Sequence, residues 1–109
     1  LEETAVLVYR VIKGDRARRE DFLSDEASGK RPRDLTPEKL RRHKGFSIWR
    51  VEAKARRIAQ RFQRLGTHIA EVRLPAGATL EPFPDEPDHQ TIYGDPDAFV
   101  ERVERVVPV

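Results

Sequence analysis

Apolar positions along the chain fall into short segments of two kinds, which predict strands and helices. From Ala5 to Ile12 almost every residue is β-branched, aromatic or apolar, which predicts a buried strand. Phe46 to Trp49 alternates as a short strand, and Thr67 to Leu74 alternates over a longer one before the turn Pro75-Ala76-Gly77. These segments supply the centre of a predicted sheet.

Three further segments have helical signals. Thr36 followed by Pro37 predicts a capped short helix that ends near His43, and Asp95-Pro96 predicts a second one. Between Trp49 and Gly66 an apolar stripe recurs at spacings of three and four, which predicts a longer helix with that stripe in the core. The stripe consists of Val51, Ala55, Ile58, Phe62 and Leu65.

The later part of the chain predicts short strands around an acidic loop. Thr79 to Pro84 is expected to be an edge strand because prolines cannot donate to a central ladder. Asp85 to Asp88 is predicted as an acidic loop, and His89 to Tyr93 as a short strand. The valines from Val103 to Val107 favour a final strand over an extension of the preceding helix.

Together these elements predict one small α+β domain over residues 1–109, with a mixed, mostly antiparallel sheet, one long helix and two short ones. No apolar run is long enough to span a bilayer and no charged-then-apolar leader opens the chain, so we expect a cytoplasmic protein without a membrane partner. Because the sequence contains no Met, we expect that Leu1 is not the natural start.

Charge is distributed unevenly along the chain. Residues 30–64 contain thirteen Lys or Arg against three acids, whereas residues 81–97 contain six acids and no Lys or Arg. Within the long helix, five cations form a second row, here called the basic stripe: Arg50, Lys54, Arg57, Arg61 and Arg64. Two interpretations stay open, a solvated helix face and a surface that binds nucleic acid or an acidic protein.

The sequence contains none of the strong catalytic or nucleotide-binding motifs, such as a P-loop, a Gly-x-Gly-x-x-Gly turn or a nucleophile elbow. It has no cysteine, and its three histidines (His43, His68 and His89) are far apart in sequence, so we expect no metal site. We expect His68 to be a hydrogen-bonded structural residue.

Arg10 is the one charged residue inside the first apolar strand. A guanidinium is costly to bury unless it meets an anion or an acid. Arg10 is therefore either a structural residue near the strand end that snorkels or pairs with a carboxylate, or a ligand for an anion or phosphate in a cleft.

The order of elements resembles that of ADP-ribosyltransferase-type domains. The resemblance is carried by a first strand with Tyr9-Arg10, by Phe46-Ser47 leading into the long helix, and by Ile69-Ala70-Glu71-Val72 before the Leu74 turn. It covers most of the chain.

This resemblance implies an NAD-type dinucleotide as cofactor. Arg10 would hold its phosphate or ribose, Ser47 would brace the nicotinamide-side strand, and Tyr93 would lie nearby. His89 or Gln90 would be the polar catalytic partner, stabilising an oxocarbenium-like transition state. The alternative is a non-catalytic domain that binds nucleic acid or an acidic protein through the basic stripe.

Overall fold

A computed structural model describes residues 6–31 and 36–109, which form one antiparallel sheet with helices on both faces. The six strands are β1 (Leu7–Ile12), β2 (Phe46–Trp49), β3 (His68–Arg73), β4 (Thr79–Phe83), β5 (Glu86–Tyr93) and β6 (Val103–Pro108). They are ordered β4-β5-β2-β1-β3-β6, and every pairing between neighbours is antiparallel. The predicted α+β class and the central position of the first strand are therefore confirmed.

Three α-helices connect these strands: α1 (Pro37–Arg42), α2 (Glu52–Arg61) and α3 (Pro96–Glu101). Both predicted caps are confirmed, since Thr36 Oγ1 accepts from the Lys39 amide and Asp95 Oδ1 accepts from the Asp97 amide. One longer and two short helices match the prediction. None of the helices in the described ranges is long and apolar enough to cross a bilayer.

One face of the sheet is closed by α3 and by a short 3-10 helix, Arg19–Phe22. Phe22, Phe46 and Phe99 form an aromatic cluster there, with ring centroids 5.1 to 6.0 Å apart. All three are buried, together with Val8, Ile48 and other inward residues of the strands. This packing leaves the opposite face of the sheet to carry the remaining two helices.

On that opposite face, α2 packs against β1, β2 and β3. Its contact is made by Ala55 and Ala59, which are fully buried beside Trp49 and Ile69. Small side chains at these positions let the helix backbone approach the sheet closely. Ala59 was not part of the predicted apolar stripe.

The expectation that the whole apolar stripe lies in the core is wrong at its ends. Val51, Phe62 and Leu65 are 40%, 39% and 37% exposed. The reason is local, because the α-helix ends at Arg61 and Phe62 takes an extended φ of −124° before a 3-10 turn over Gln63–Leu65. The helical stripe therefore ends before Phe62 and Leu65, and both side chains remain partly exposed.

The start of one strand also differs from the prediction. β5 begins at Glu86, so most of the predicted acidic loop is strand, and its pairing with β4 supplies the backbone partners that an isolated acidic segment lacks. The predicted start of the first strand at Ala5 lies outside the described residues. The edge strand at Thr79 and the final strand at Val103 are confirmed.

Candidate functional site: a cationic cleft beside α2

A cleft of about 890 Å³ lies on the face of the sheet that carries α1 and α2. Ser47, Trp49 and Thr91 contribute to its lining from β2 and β5, and α2 contributes one side. Residues from α1 and from the preceding loop, including Lys39 and Arg31, complete it. No pattern in the sequence indicates that these two helices border a common space.

The lining of this cleft is strongly cationic. Among the described residues, nine Lys or Arg line it against two acids, Asp25 and Glu86. The nine are Arg10, Lys30, Arg31, Lys39, Arg42, Lys54, Arg57, Arg61 and Arg64. The basic stripe thus borders a cavity along most of its length, and Arg50 alone among its members is outside the lining.

Several of these cations already have partners within the fold. Lys30 Nζ lies 3.5 Å from Asp25, and Lys54 Nζ lies 2.8 Å from Asp88. Besides Arg10, whose partners are main-chain oxygens, five cationic side chains of the lining form no ion pair with any described residue: Arg31, Lys39, Arg57, Arg61 and Arg64. These five provide positive charge that no carboxylate of the described residues neutralises.

Arg10 occupies a structural position at the cleft's edge. Strands β1 and β2 pair at Tyr9 and Trp49, and the guanidinium of Arg10 then donates to the carbonyl oxygens of Ser47, at 2.8 Å, and Asp21, at 3.0 Å. It also lies 4.9 Å from the centre of the Phe46 ring. Burial lowers the pKa of Arg10 to about 10, so the side chain remains charged at pH 7. Arg10 thus has partners within the fold, but they are main-chain oxygens and not the carboxylate that the structural interpretation predicted.

His89 lies within a column of rings on the floor of the cleft. Its imidazole stacks on Trp49, with centroids 4.8 Å apart, and on Phe83 at 4.3 Å. Its Nε2 is buried and has no hydrogen-bond partner among the described residues. Burial lowers the pKa of His89, which favours the neutral ring at pH 7.

Arg42 extends the same column and fixes α1 to the sheet. Its guanidinium lies 3.8 Å from the centre of the Phe83 ring. It donates to Thr91 Oγ1 at 2.7 Å and to the carbonyl oxygens of Glu81 and Pro82 at 3.1 and 3.0 Å. The burial of Arg42 is not evident from the sequence, because a cation at the C-terminus of a short helix is ordinarily exposed.

The five residues predicted from the resemblance are not all placed together. Arg10, Ser47 and His89 line the one cleft. Gln90 lies outside the lining, pairs with Ile48 in the sheet and donates to the Pro87 carbonyl oxygen at 2.9 Å. Tyr93 also lies outside the lining, and its hydroxyl donates to Glu81 Oε1 at 2.7 Å.

The two remaining histidines contribute little that is specific to the cleft. His68 Nδ1 lies 2.8 Å from Thr67 Oγ1 at the start of β3, so the expectation of a hydrogen-bonded residue is confirmed. His43 follows the last residue of α1 and reaches the lining of the cleft. In the part of the chain that is described, no three His, Cys, Asp or Glu residues are grouped so that they could hold a metal ion.

Glu81 gives a testable pH dependence beside this site. Arg41 and the Tyr93 hydroxyl bond its carboxylate, and these bonds lower the pKa of Glu81 to about 2. Because that pKa is lower in the folded state, the stabilisation is complete above the ordinary value of 4.5 and is lost as the pH falls toward 2. Glu81→Gln should cost about 1 kcal/mol at pH 7, and this difference should shrink below pH 4.5 in urea titrations.

A second measurement isolates the Tyr93 contact. Burial and the bond to Glu81 raise the pKa of Tyr93 to about 12. Glu81→Gln should therefore lower the pKa of Tyr93 in an ultraviolet absorbance titration. If the difference in unfolding free energy between wild type and Glu81→Gln stays constant from pH 7 to pH 2, the assignment of the low pKa to Glu81 is contradicted.

No protein-family model, no curated protein and no solved structure matches this chain. The residues that line the cleft are therefore the basis for inferring a function.

Proposed function

We propose that this protein binds nucleic acid by its phosphate backbone in the cationic cleft. The observation that carries the proposal is the lining of nine Lys or Arg against two acids, with five of those cations unpaired within the described ranges. Phosphate is the anion that such a row of guanidinium and ammonium groups complements best. The contacts would be electrostatic and largely independent of base sequence.

The spacing of the cations along α2 supports a chain-like anion. Lys54, Arg57 and Arg61 lie on α2 at helical spacings of three and four, which places neighbouring side chains about 5 to 6 Å apart. The helical rise separates Lys54 from Arg61 by roughly 10 Å, and Arg64 lies beyond them in the 3-10 turn Gln63–Leu65. A repeating phosphate backbone can contact each cation in such a row, whereas the pyrophosphate of one dinucleotide would contact a minority of them.

An NAD-type dinucleotide remains the second candidate, with transfer of ADP-ribose as its chemistry. It is supported by the presence of Arg10, Ser47 and His89 in the lining of the same cleft. The cavity volume also falls within the usual range for small-molecule sites. However, the two hydrogen bonds of Arg10 to main-chain oxygens engage the group that was expected to hold phosphate.

The test is a binding titration with matched charge variants. Arg57, Arg61 and Arg64 are changed together to Gln, and binding of a fluorescent oligonucleotide of roughly twelve nucleotides is followed by anisotropy. We expect an affinity loss of about 30- to 100-fold at low salt. The slope of the logarithm of the association constant against the logarithm of salt concentration should become less negative by about two, because three phosphate contacts are removed.

The control variant removes the same charge elsewhere. Arg16, Arg18 and Arg102 are exposed and lie outside the cleft lining, so changing all three to Gln should alter affinity by less than about threefold. Equal losses in both variants would indicate attraction by net charge alone and would contradict the assignment to the cleft.

Two other ligands separate the remaining candidates. Polyglutamate of matched charge represents an acidic protein surface, and equal affinity for it would overturn the nucleic-acid proposal. NAD that binds more tightly than the oligonucleotide, with its affinity abolished by Ser47→Trp in the cleft lining, would favour the transferase candidate instead.

A further inference from the structure

Two rows of side chains run side by side at the C-terminal part of the cleft. Arg57, Arg61 and Arg64 are each followed directly by an apolar residue, and these three apolar residues also line the cleft: Ile58, Phe62 and Leu65. Each cation and its apolar residue are adjacent in sequence, the first pair on α2, the second at its C-terminal end and the third in the 3-10 turn Gln63–Leu65, so cationic and apolar side chains alternate along this side of the cleft. One side of the cleft therefore offers positive charge and apolar surface together.

The apolar row is accessible to a ligand. Phe62 and Leu65 are 39% and 37% exposed, although a helix stripe of this kind ordinarily faces the core. α2 ends at Arg61, so Phe62 and Leu65 follow the helix and do not continue its packing face. The guanidinium of Arg61 lies 5.1 Å from the centre of the Phe62 ring and places charge beside the aromatic surface.

From this pairing we infer that Phe62, with Leu65 beside it, is a stacking subsite for an unpaired nucleobase. The inference deepens the proposed function and rests on it: the bound nucleic acid is single-stranded at this position. Phosphates would contact Arg61 and Arg64, while the attached base would lie against Phe62.

A single strand is the ligand whose chemistry matches both rows. In a duplex the phosphates face outward, but the flat faces of the bases are stacked on one another and cannot reach an aromatic ring. In a single strand the π-face of each base is available, and every base can stack irrespective of sequence. An acidic protein surface that presents only carboxylates would offer no group to pack against the apolar row.

The experiment compares two probes with the same number of phosphates. One is an oligothymidine of roughly eight nucleotides, and the other is an abasic oligomer of equal length. The wild-type protein should bind the oligothymidine about 5- to 100-fold more tightly than the abasic oligomer. Phe62→Leu should reduce this ratio to near one, and Phe62→Trp should retain it.

The control changes an exposed apolar residue elsewhere. Leu40 is 40% exposed and lies outside the cleft lining, so Leu40→Ala should leave both affinities unchanged. Melting curves check that each variant is folded. Because the Phe62 ring is already exposed, Phe62→Leu should shift the melting temperature only slightly.

The outcomes separate the subsite from the function on which it rests. Equal affinity of the wild-type protein for both probes would overturn the subsite and leave phosphate binding in place. Tighter binding of a duplex of the same length would also overturn it. If neither probe binds at low salt, the proposed function itself fails.

Discussion

Arg42→Met should lower the free energy of unfolding by about 3 kcal/mol. The guanidinium of Arg42 is buried and donates to Thr91 Oγ1 and to the carbonyl oxygens of Glu81 and Pro82. Met preserves much of the side-chain volume over the Phe83 ring, but it removes all three bonds and leaves the buried Thr91 hydroxyl without this donor. Urea denaturation followed by circular dichroism measures the change.

Arg41→Met is the matched control on the same helix. Arg41 binds the carboxylate of Glu81, but about half of its side chain is exposed, so its removal should destabilise the fold much less than Arg42→Met does. Equal destabilisation by the two substitutions would show that the effect comes from charge in α1 and not from the buried contacts of Arg42. Because α1 borders the cleft, Arg42→Met should also weaken oligonucleotide binding.

Gly66→Ala should destabilise the fold by about 3 kcal/mol or more. A Cβ atom at Gly66 would lie 2.0 Å from the carbonyl oxygen of Ile12 and 2.6 Å from its carbonyl carbon. Those are main-chain atoms of β1, which cannot rotate away as a flexible side chain can. The connection between α2 and β3 would have to separate from the end of β1, where the Thr67 amide donates to the same oxygen.

Gly14→Ala provides the comparison for this effect. A Cβ atom at Gly14 would meet no atom within 4 Å, so the substitution should change stability by less than about 1 kcal/mol. Thermal unfolding of both variants gives the difference. A Gly66→Ala protein as stable as Gly14→Ala would contradict the close contact between Gly66 and the main chain of Ile12 at the end of β1.

The cleft was harder to predict than the fold. Arg10 stands out in the sequence because it interrupts an apolar strand. Its hydrogen-bond acceptors, however, are main-chain oxygens from two other segments of the chain. No sequence spacing reveals such partners. His89 and Trp49 are forty residues apart in sequence, yet strand pairing between β2 and β5 stacks their rings.

The basic stripe is a second example of what spacing alone does not show. Its helical spacing is evident in the sequence, but that spacing does not tell whether the row of cations faces solvent or a partner. The loop before α1 and α1 itself bring Arg31 and Lys39 to the other side of the cleft. These long-range placements turned a helix face into the lining of a cavity.

The sequence by itself determined the α+β class, the two capped short helices, the buried first strand and the final strand. These features follow from local periodicity, proline and capping residues, which act over a few positions. Only the tertiary structure decided that Ala55 and Ala59 contact the sheet, that Phe62 and Leu65 are exposed, and that nine cations line one cleft. Those outcomes depend on where α2 ends and on how strands distant in sequence pair, because both are set by packing across the whole sheet.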